Sequence, residues 1–163
     1  MHVSDYLQDC EVPFETVLHP PAFTAQKRAR FLHVSGRQVV KCVVLSSRRG
    51  FHVAVLRSTD HIDLTALERR LGASIRLATP EEMAEQLTDC GRGAATPFGS
   101  LYGLRTLLED RINPDDLIIF EAQQHHIAVR MLCRDFERLE KPMRCRFARN
   151  DTMAGRARET VAR

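Results

Sequence analysis

A lysine inside an apolar run is the first residue whose surroundings suggest chemistry. Lys41 lies between residues 39–40 (VV) and 42–45 (CVVL). Apolar side chains at both odd and even positions predict a strand that is buried on both faces. An ammonium group in that setting loses its hydration unless it reaches a cavity or an anion. The alternative is an edge-strand lysine whose stem packs while its head reaches water; the run alone favours this alternative, whereas the features below favour a functional lysine.

A loop rich in small residues, residues 93–99 (GAATPFG), is the second feature. Glycines and small side chains let a ligand approach the backbone and leave N–H groups that can point into a pocket. Such donors stabilise the oxyanion that forms when an ester is attacked. Pro97 stiffens the loop. By itself, the pattern is also that of an ordinary turn.

The histidines and cysteines form no recognisable metal or nucleophile motif. The seven histidines make no HxxxH or HExxH pair, and the five cysteines make no CxxC pair. His125 and His126 are adjacent, so at most one of them enters a given pocket if they lie on a strand. There is no GxSxG elbow. We therefore expect no metal and no cofactor, with water as the nucleophile of any hydrolysis.

The elements that must position these residues mix hairpin strands with single helices. We predict strands over residues 14–19, 38–45, 51–57, 74–78, 100–108, 117–121 and 126–131, and helices over 24–33, 63–72, 79–90 and 135–139. Thr24, Asp63 and Thr79 are the expected helix starts, and Glu82 completes a capping box with Thr79. Because strands and helices do not strictly alternate, we expect an α/β (α+β) domain with one curved, mixed sheet.

Composition and charge indicate one cytoplasmic domain with a basic end. The 163 residues suffice for one core, and no apolar run is long enough to span a membrane. The scattered cysteines are typical of reduced thiols. Residues 141–163 hold seven basic and two acidic side chains, a net charge of +5, against −2 for residues 1–140. We expect a domain over 1–141 and a basic tail over 142–163, which either contacts phosphates or is simply solvated.

The order of these motifs resembles the YbaK-type family, whose domains are related to the editing insertion of bacterial prolyl-tRNA synthetase. The resemblance covers about residues 14–141. It rests on residues 18–25 (LHPPAFTA), the lysine-bearing 39–45, the GxxxP pattern from Gly93 to Pro97, residues 118–131 (IIFEAQQHHIAVRM) and residues 135–139 (DFERL). The resemblance implies a largely antiparallel sheet flanked by helices.

The resemblance also implies functional residues and a reaction. Lys41 matches the family's signature lysine, Gly93 matches its loop glycine, and His125 matches a histidine that often follows the IIFEA-like strand; we assign these three residues to catalysis. We assign substrate binding to seven others: His19, Cys42, Ala94, Thr96, Pro97, Phe98 and Gly99. The implied reaction is hydrolysis of the ester between a small amino acid and the terminal adenosine of tRNA, with the adenosine's own hydroxyl assisting the attacking water.

Two positions depart from the family pattern, and two classes of function remain open. Cys42 stands where alanine- and cysteine-directed members tend to have Asn or Thr, and Gln123 stands where glycine is usual; both are expected near the amino-acid pocket. We expect a trans-editing deacylase for tRNA-Pro carrying Ala or Cys, with Ser, Thr or another small residue as the next option. Its partners would be tRNA and a synthetase. The alternative is a non-catalytic module that binds a nucleotide, an aminoacyl end or a protein.

Overall fold

The computed structural model describes residues 1–150 of the chain, and its largest sheet has five strands. They span Val40–Ser47 (β2), Gly50–Arg57 (β3), Ile75–Leu77 (β5), Arg105–Glu109 (β6) and Met143–Cys145 (β9). Their order across the sheet is β5-β2-β3-β6-β9. The expected hairpin is confirmed, because β2 and β3 pair antiparallel from Val40–Arg57 to Ser47–Gly50. The sheet is mixed, since β6 runs parallel to both β3 and β9.

A second, smaller sheet joins the first. Its three strands are Glu15–Leu18 (β1), Leu117–Glu121 (β7) and Ile127–Leu132 (β8), in the order β1-β8-β7 and all antiparallel. It meets the larger sheet where Val39, just before β2, forms a parallel bridge with Ile119. The Ile119 N–H donates to the Gln38 carbonyl at 2.9 Å. The predicted mixed, largely antiparallel α/β class is therefore confirmed, with the strands divided between two joined sheets.

Five α-helices of the described range flank the sheets, and three begin at the predicted caps. The helices span Val3–Asp9 (α1), Ala25–Phe31 (α2), Leu64–Leu71 (α3), Pro80–Gln86 (α4) and Cys133–Glu140 (α5). Thr24, Asp63 and Thr79 each accept a hydrogen bond from a backbone N–H of the first turn, which satisfies a donor that the helix itself cannot. The sequence did not indicate α1, which packs Val3 and Leu7 into the core.

The segment predicted as a strand over 100–108 is a strand only in its second half. Residues Gly99–Tyr102 form a 3₁₀ turn, and Gly103 then adopts a left-handed φ of 69°. That reversal delays β6 until Arg105. The apolar pattern of this segment suits both conformations, and the glycine decides where the turn ends.

The C-terminal basic segment is partly built into the fold. Residues 143–145 form β9, and residues Ala148–Asn150 form β10, which pairs with Asp60–Ile62 (β4). The buried Glu109 carboxylate accepts the N–H groups of Phe147 and Ala148, each at 2.8 Å. The folded part therefore continues past residue 141, where the sequence placed the domain end, and residues 151–163 of the expected tail lie outside the described residues.

The core occupies both faces of the larger sheet. Alternate residues of β3 point to opposite sides: Val53 and Val55 join one cluster, whereas Ala54 and Leu56 join the other. The first cluster fills the space between the two sheets and includes Phe98 and Phe120. A strand covered on both faces explains the continuous apolar run of residues 53–56.

Candidate functional site

A small cavity lies where the two sheets, helix α2 and the 91–99 loop meet. Its volume is about 90 Å³, the space of roughly three water molecules at about 30 Å³ each. Its walls combine one exposed aromatic ring, small apolar side chains and three charged groups. The lining residues are Phe23, Ala25, Arg28, Val40, Lys41, Cys42, Gly93, Ala95 and Glu121.

Lys41 reaches this cavity from the second residue of β2. The strand pairs Lys41 with Leu56 of β3, and its neighbours Val40 and Cys42 line the same cavity. Lys41 is half-buried rather than exposed. The lysine therefore lies beside the glycine-containing loop, as the functional interpretation of the sequence requires.

The first half of the loop presents its backbone to the cavity. Gly93 has a left-handed φ of 76°, and no atom lies within 4 Å of the position that a Cβ would take. The Ala94 N–H donates to the Gly91 carbonyl, and the Ala95 N–H donates to Glu121 Oε1 at 2.9 Å. Among the described residues, no acceptor takes the Gly93 N–H. Gly93 is therefore a residue of the cavity wall whose amide is left available to a ligand.

The second half of the loop turns away from this cavity, unlike the sequence prediction. Phe98 is fully buried among aromatic rings, and its centroid lies 5.1 Å from that of Phe136. A Cβ on Gly99 would lie 2.6 Å from Thr106 Oγ1, so this glycine permits close packing. The burial of the Phe98 ring and the close approach of Gly99 to Thr106 anchor this half of the loop in the core. Ala94, Thr96 and Pro97 are also buried and do not line the small cavity.

Glu121 and Arg28 are two charged residues of the cavity wall that the sequence did not indicate. Glu121 provides the negative charge. It ends strand β7, and its carboxylate forms an ion pair with the guanidinium of Arg28 from α2, which is 3% exposed. Arg28 also donates to the Ala22 carbonyl at 2.9 Å. A glutamate at the end of the apolar run LIIFE was the available signal. The pair compensates a guanidinium that would otherwise be buried alone.

His125 is held against Glu121 and lies at the edge of the cavity. Its Nδ1 lies 3.0 Å from Glu121 Oε2, and its Nε2 lies 2.8 Å from the Arg92 carbonyl oxygen. Its ring lies 4.6 Å from the Phe23 ring, centroid to centroid. His125 does not line the small cavity itself. The histidine therefore links the 91–99 loop to β7.

His19 is a buried residue beside the site and does not line the cavity. Its Nδ1 lies 2.7 Å from the Pro20 carbonyl, and its Nε2 is buried with no hydrogen-bond partner in the described part of the chain. Burial lowers the pKa of this imidazole, which favours its neutral form. The sequence assignment of His19 to substrate binding is therefore not matched by a place on the cavity wall.

The thiols near the site are unsuited to act as nucleophiles. Burial raises the pKa of the Cys42 thiol on the cavity wall. Burial also raises the pKa of Cys90 to about 11. Because the thiolate is the nucleophilic form, these protonated thiols contribute shape rather than reactivity.

A larger cavity adjoins the small one through Gly93. It has a volume of about 390 Å³ and lies between helix α4 and the first half of the loop. Its lining residues are Pro80, Glu81, Met83, Ala84, Leu87, Thr88, Cys90, Gly91, Arg92, Gly93 and Ala94. Ala94, assigned to substrate binding from the sequence, lines this neighbouring cavity.

Gln123 has a structural explanation that its sequence position did not suggest. It adopts a left-handed φ of 67°, a conformation that glycine takes without strain. Its side-chain oxygen accepts the Val3 N–H at 2.7 Å, and its amide donates to Asp89 at 3.0 Å. These bonds tie α1 to the segment before the loop. Gln123 therefore does not border the small cavity, whereas Cys42 does.

Residues 1–150 hold neither a cluster of metal ligands nor a helix suited to a bilayer. No group of three His, Cys, Asp or Glu side chains in this range is arranged to bind a metal ion. No helix in the same range is long and apolar enough to cross a membrane.

Known relatives share segments of this sequence and its fold. The chain is 28% identical over 79 residues to a proline–tRNA ligase of Pseudothermotoga lettingae, covering 48% of this chain and 14% of the relative. It is 33% identical over 85 residues to the proline–tRNA ligase of Thermosipho africanus, covering 50% and 15%. The chain thus spans about a seventh of the length of these curated relatives.

Solved structures and a family profile extend this likeness over the domain. A hypothetical protein matches with a TM-score of 0.81 at 15% identity, covering 90% of this chain and 99% of that one. A protein described as a candidate trans-editing enzyme for prolyl tRNA synthetase matches with a TM-score of 0.72 at 21% identity, covering 84% and 87%. The profile of the aminoacyl-tRNA editing domain matches residues 19–139. The chain therefore belongs to the aminoacyl-tRNA editing domain family.

Proposed function

We propose that this protein is an aminoacyl-tRNA deacylase that hydrolyses the ester of a small, wrongly attached amino acid. The observation that carries the proposal is the placement of Lys41 and the unbonded Gly93 N–H around one cavity. One group supplies a positive charge and the other a hydrogen-bond donor. Both are what a developing oxyanion requires.

The chemistry needs little more from the protein than these two groups and a bound water. Water attacks the ester carbonyl carbon, the carbonyl oxygen becomes an oxyanion, and the bond to the ribose oxygen breaks as that oxygen gains a proton. The Gly93 N–H and the Lys41 ammonium stabilise the negative charge. The resemblance to the YbaK-type family supports a ribose hydroxyl of the substrate as the group that assists the water.

The size of the cavity supports a small amino acid. About 90 Å³ accommodates a short side chain. A synthetase discriminates poorly against a substrate that lacks one methylene, because that difference is worth only about 1–3 kcal/mol. A second, smaller site can bind the wrongly attached, smaller amino acid and exclude the larger, correct amino acid by size. We therefore propose Ala or Cys as the amino acid, with Ser and Thr next.

The proposed tRNA and partner follow from the relatives. Both curated relatives are proline–tRNA ligases, and one structural neighbour is described as a candidate trans-editing enzyme for prolyl tRNA synthetase. These likenesses support tRNA-Pro as the substrate, a synthetase as a partner and the cytoplasm as the place of action.

Hydrolysis of a panel of mischarged tRNAs tests the proposal. We expect release of at least one small amino acid above the spontaneous rate, and a loss of about a hundredfold or more in Lys41→Ala, in line with the removal of one oxyanion donor. Lys27→Ala, at an exposed lysine of α2, is the matched control and should retain activity.

Two further measurements make the result decisive. Circular dichroism and thermal unfolding should show that Lys41→Ala keeps its fold. If the wild-type protein cleaves no member of the panel, but binds aminoacyl-tRNA, the non-catalytic binding module replaces the deacylase.

A further inference from the structure

Phe23 is an aromatic side chain left in solvent at the edge of the small cavity. It is 72% exposed, whereas the other seven phenylalanines are buried or half-buried. It lies one residue before Thr24, the N-cap of α2, and contributes to the same cavity wall as Lys41 and Glu121. Single exposed apolar side chains are common in folded proteins. Phe23 differs because its exposed ring lies on the wall of the cavity that also holds Lys41 and Glu121, where a bound ligand would meet it.

The Phe23 ring is one of two rings at this edge. The His125 ring lies 4.6 Å from it at an interplanar angle of 54°. His125 is fixed by its contacts with Glu121 and with the Arg92 carbonyl. The second ring is therefore held in place on one side of Phe23, while the exposed surface of Phe23 stays available to a planar ligand.

The 91–99 loop carries a cationic side chain at Arg92, the residue whose carbonyl contacts His125. Arg92 is exposed, and its side chain makes no hydrogen bond or ion pair with any other described residue. The Arg92 carbonyl oxygen lies 2.8 Å from Nε2 of His125, whose ring contacts Phe23, so this cation belongs to the loop beside the two rings. Exposed aromatic rings and a nearby cation together suit single-stranded RNA, because bases stack on the rings and phosphates pair with the cation.

We infer that Phe23 stacks on the terminal nucleobase of the RNA 3′ end. The inference rests on the proposed function: an ester whose carbonyl reaches Lys41 inside a cavity of about 90 Å³ must leave its ribose and base outside, because the cavity is too small to hold them. The exposed ring lies at that edge. Phe23 is thus a substrate-binding residue that orients the nucleoside while the ester lies against Lys41 and Gly93.

The absence of tryptophan from the sequence gives a direct test. Phe23→Trp introduces the sole tryptophan of the chain. We expect its fluorescence to be quenched saturably by uncharged tRNA and, at higher concentration, by adenosine 5′-monophosphate. Leu77→Trp, at a 53% exposed position on β5, is the matched control and should show no such quenching.

Kinetics separate stacking from simple packing. Phe23→Ala should raise KM for the mischarged tRNA by about tenfold to a hundredfold, the range expected for one stacked base, with little change in kcat. Phe23→Tyr should restore KM, whereas Phe23→Leu, which is apolar but has no π face, should not.

Each outcome decides the inference. Full activity in Phe23→Ala, full rescue by Phe23→Leu, or absence of quenching by tRNA in Phe23→Trp would overturn it. If the wild-type protein hydrolyses no aminoacyl-tRNA, the proposed function fails, but the fluorescence titration still tests stacking. Quenching specific to Phe23→Trp would then support a nucleobase site without catalysis.

Discussion

At the scale of single residues, the site depends on how a few charges are compensated. Arg28 is 3% exposed and forms its ion pair with Glu121, which also accepts the Ala95 N–H and contacts His125. One carboxylate therefore connects α2, the loop and the cavity edge. A buried guanidinium without this partner would be uncompensated, which usually destabilises a protein strongly.

Replacing this carboxylate tests its role. Glu121→Gln keeps the shape of the side chain and an acceptor for Ala95 but removes the charge that faces Arg28. We expect the free energy of unfolding, measured by urea denaturation, to fall by roughly 3 kcal/mol. The double variant Arg28→Met/Glu121→Gln should recover part of that loss, because no buried charge then remains alone. Equal stability of Glu121→Gln and wild type would contradict this account.

At the scale of elements, helix α4 forms one wall of the larger cavity and is fixed at its start. Thr79 and Glu82 form the predicted capping box, with Glu82 at 2.9 Å from the Thr79 N–H. Glu82 also pairs with Arg76 of β5 at 2.7 Å. The hydrogen bond to Arg76, followed by that to the Thr79 backbone, lowers the pKa of Glu82 to about 2.

This pKa predicts how stability depends on pH. Because the folded-state pKa is lower than the usual 4.5, the stabilisation is fully present above about pH 4.5 and is lost as pH falls towards about 2. Glu82→Gln retains a capping side chain but not the charge. Its deficit in unfolding free energy should therefore shrink over that interval. Glu81→Gln, at the exposed neighbour, is the control; a pH-independent deficit for Glu82→Gln would refute the assignment.

At the scale of the whole molecule, the basic C-terminal segment divides into a folded part and a remainder. Arg144 pairs with Glu137, and Arg149 lies 3.5 Å from Asp63. These arginines are thus partly neutralised by the body of the protein. Residues 151–163 contribute three arginines and two acidic residues. Only this last segment can be removed without cutting into β9 and β10.

Deletion of residues 151–163 tests the proposed phosphate contacts. If up to three arginines bind phosphates, the slope of log Kd against log salt concentration should fall by about 0.7–0.9 for each phosphate that the shortened chain no longer neutralises. Thermal stability should be unchanged, because strands β9 and β10 are intact. A slope equal to that of the full chain would contradict phosphate contacts by this segment.

The sequence by itself determined the local features of this protein. These features depend on periodicity and on residues a few positions apart, which a sequence displays directly. They are the strand that carries Lys41, the helix caps at Thr24, Asp63 and Thr79, and the β2–β3 hairpin. The order of motifs also pointed to the family to which the chain belongs.

Only the tertiary structure decided which residues meet. Arg28 and Glu121 are 93 residues apart, and they touch because β7 joins β2 through the Val39–Ile119 bridge. The same packing turned Phe98 into the core and left Phe23 at the cavity edge. Contacts of this kind depend on sheet order and on competition for buried space, and neither is encoded in a local pattern.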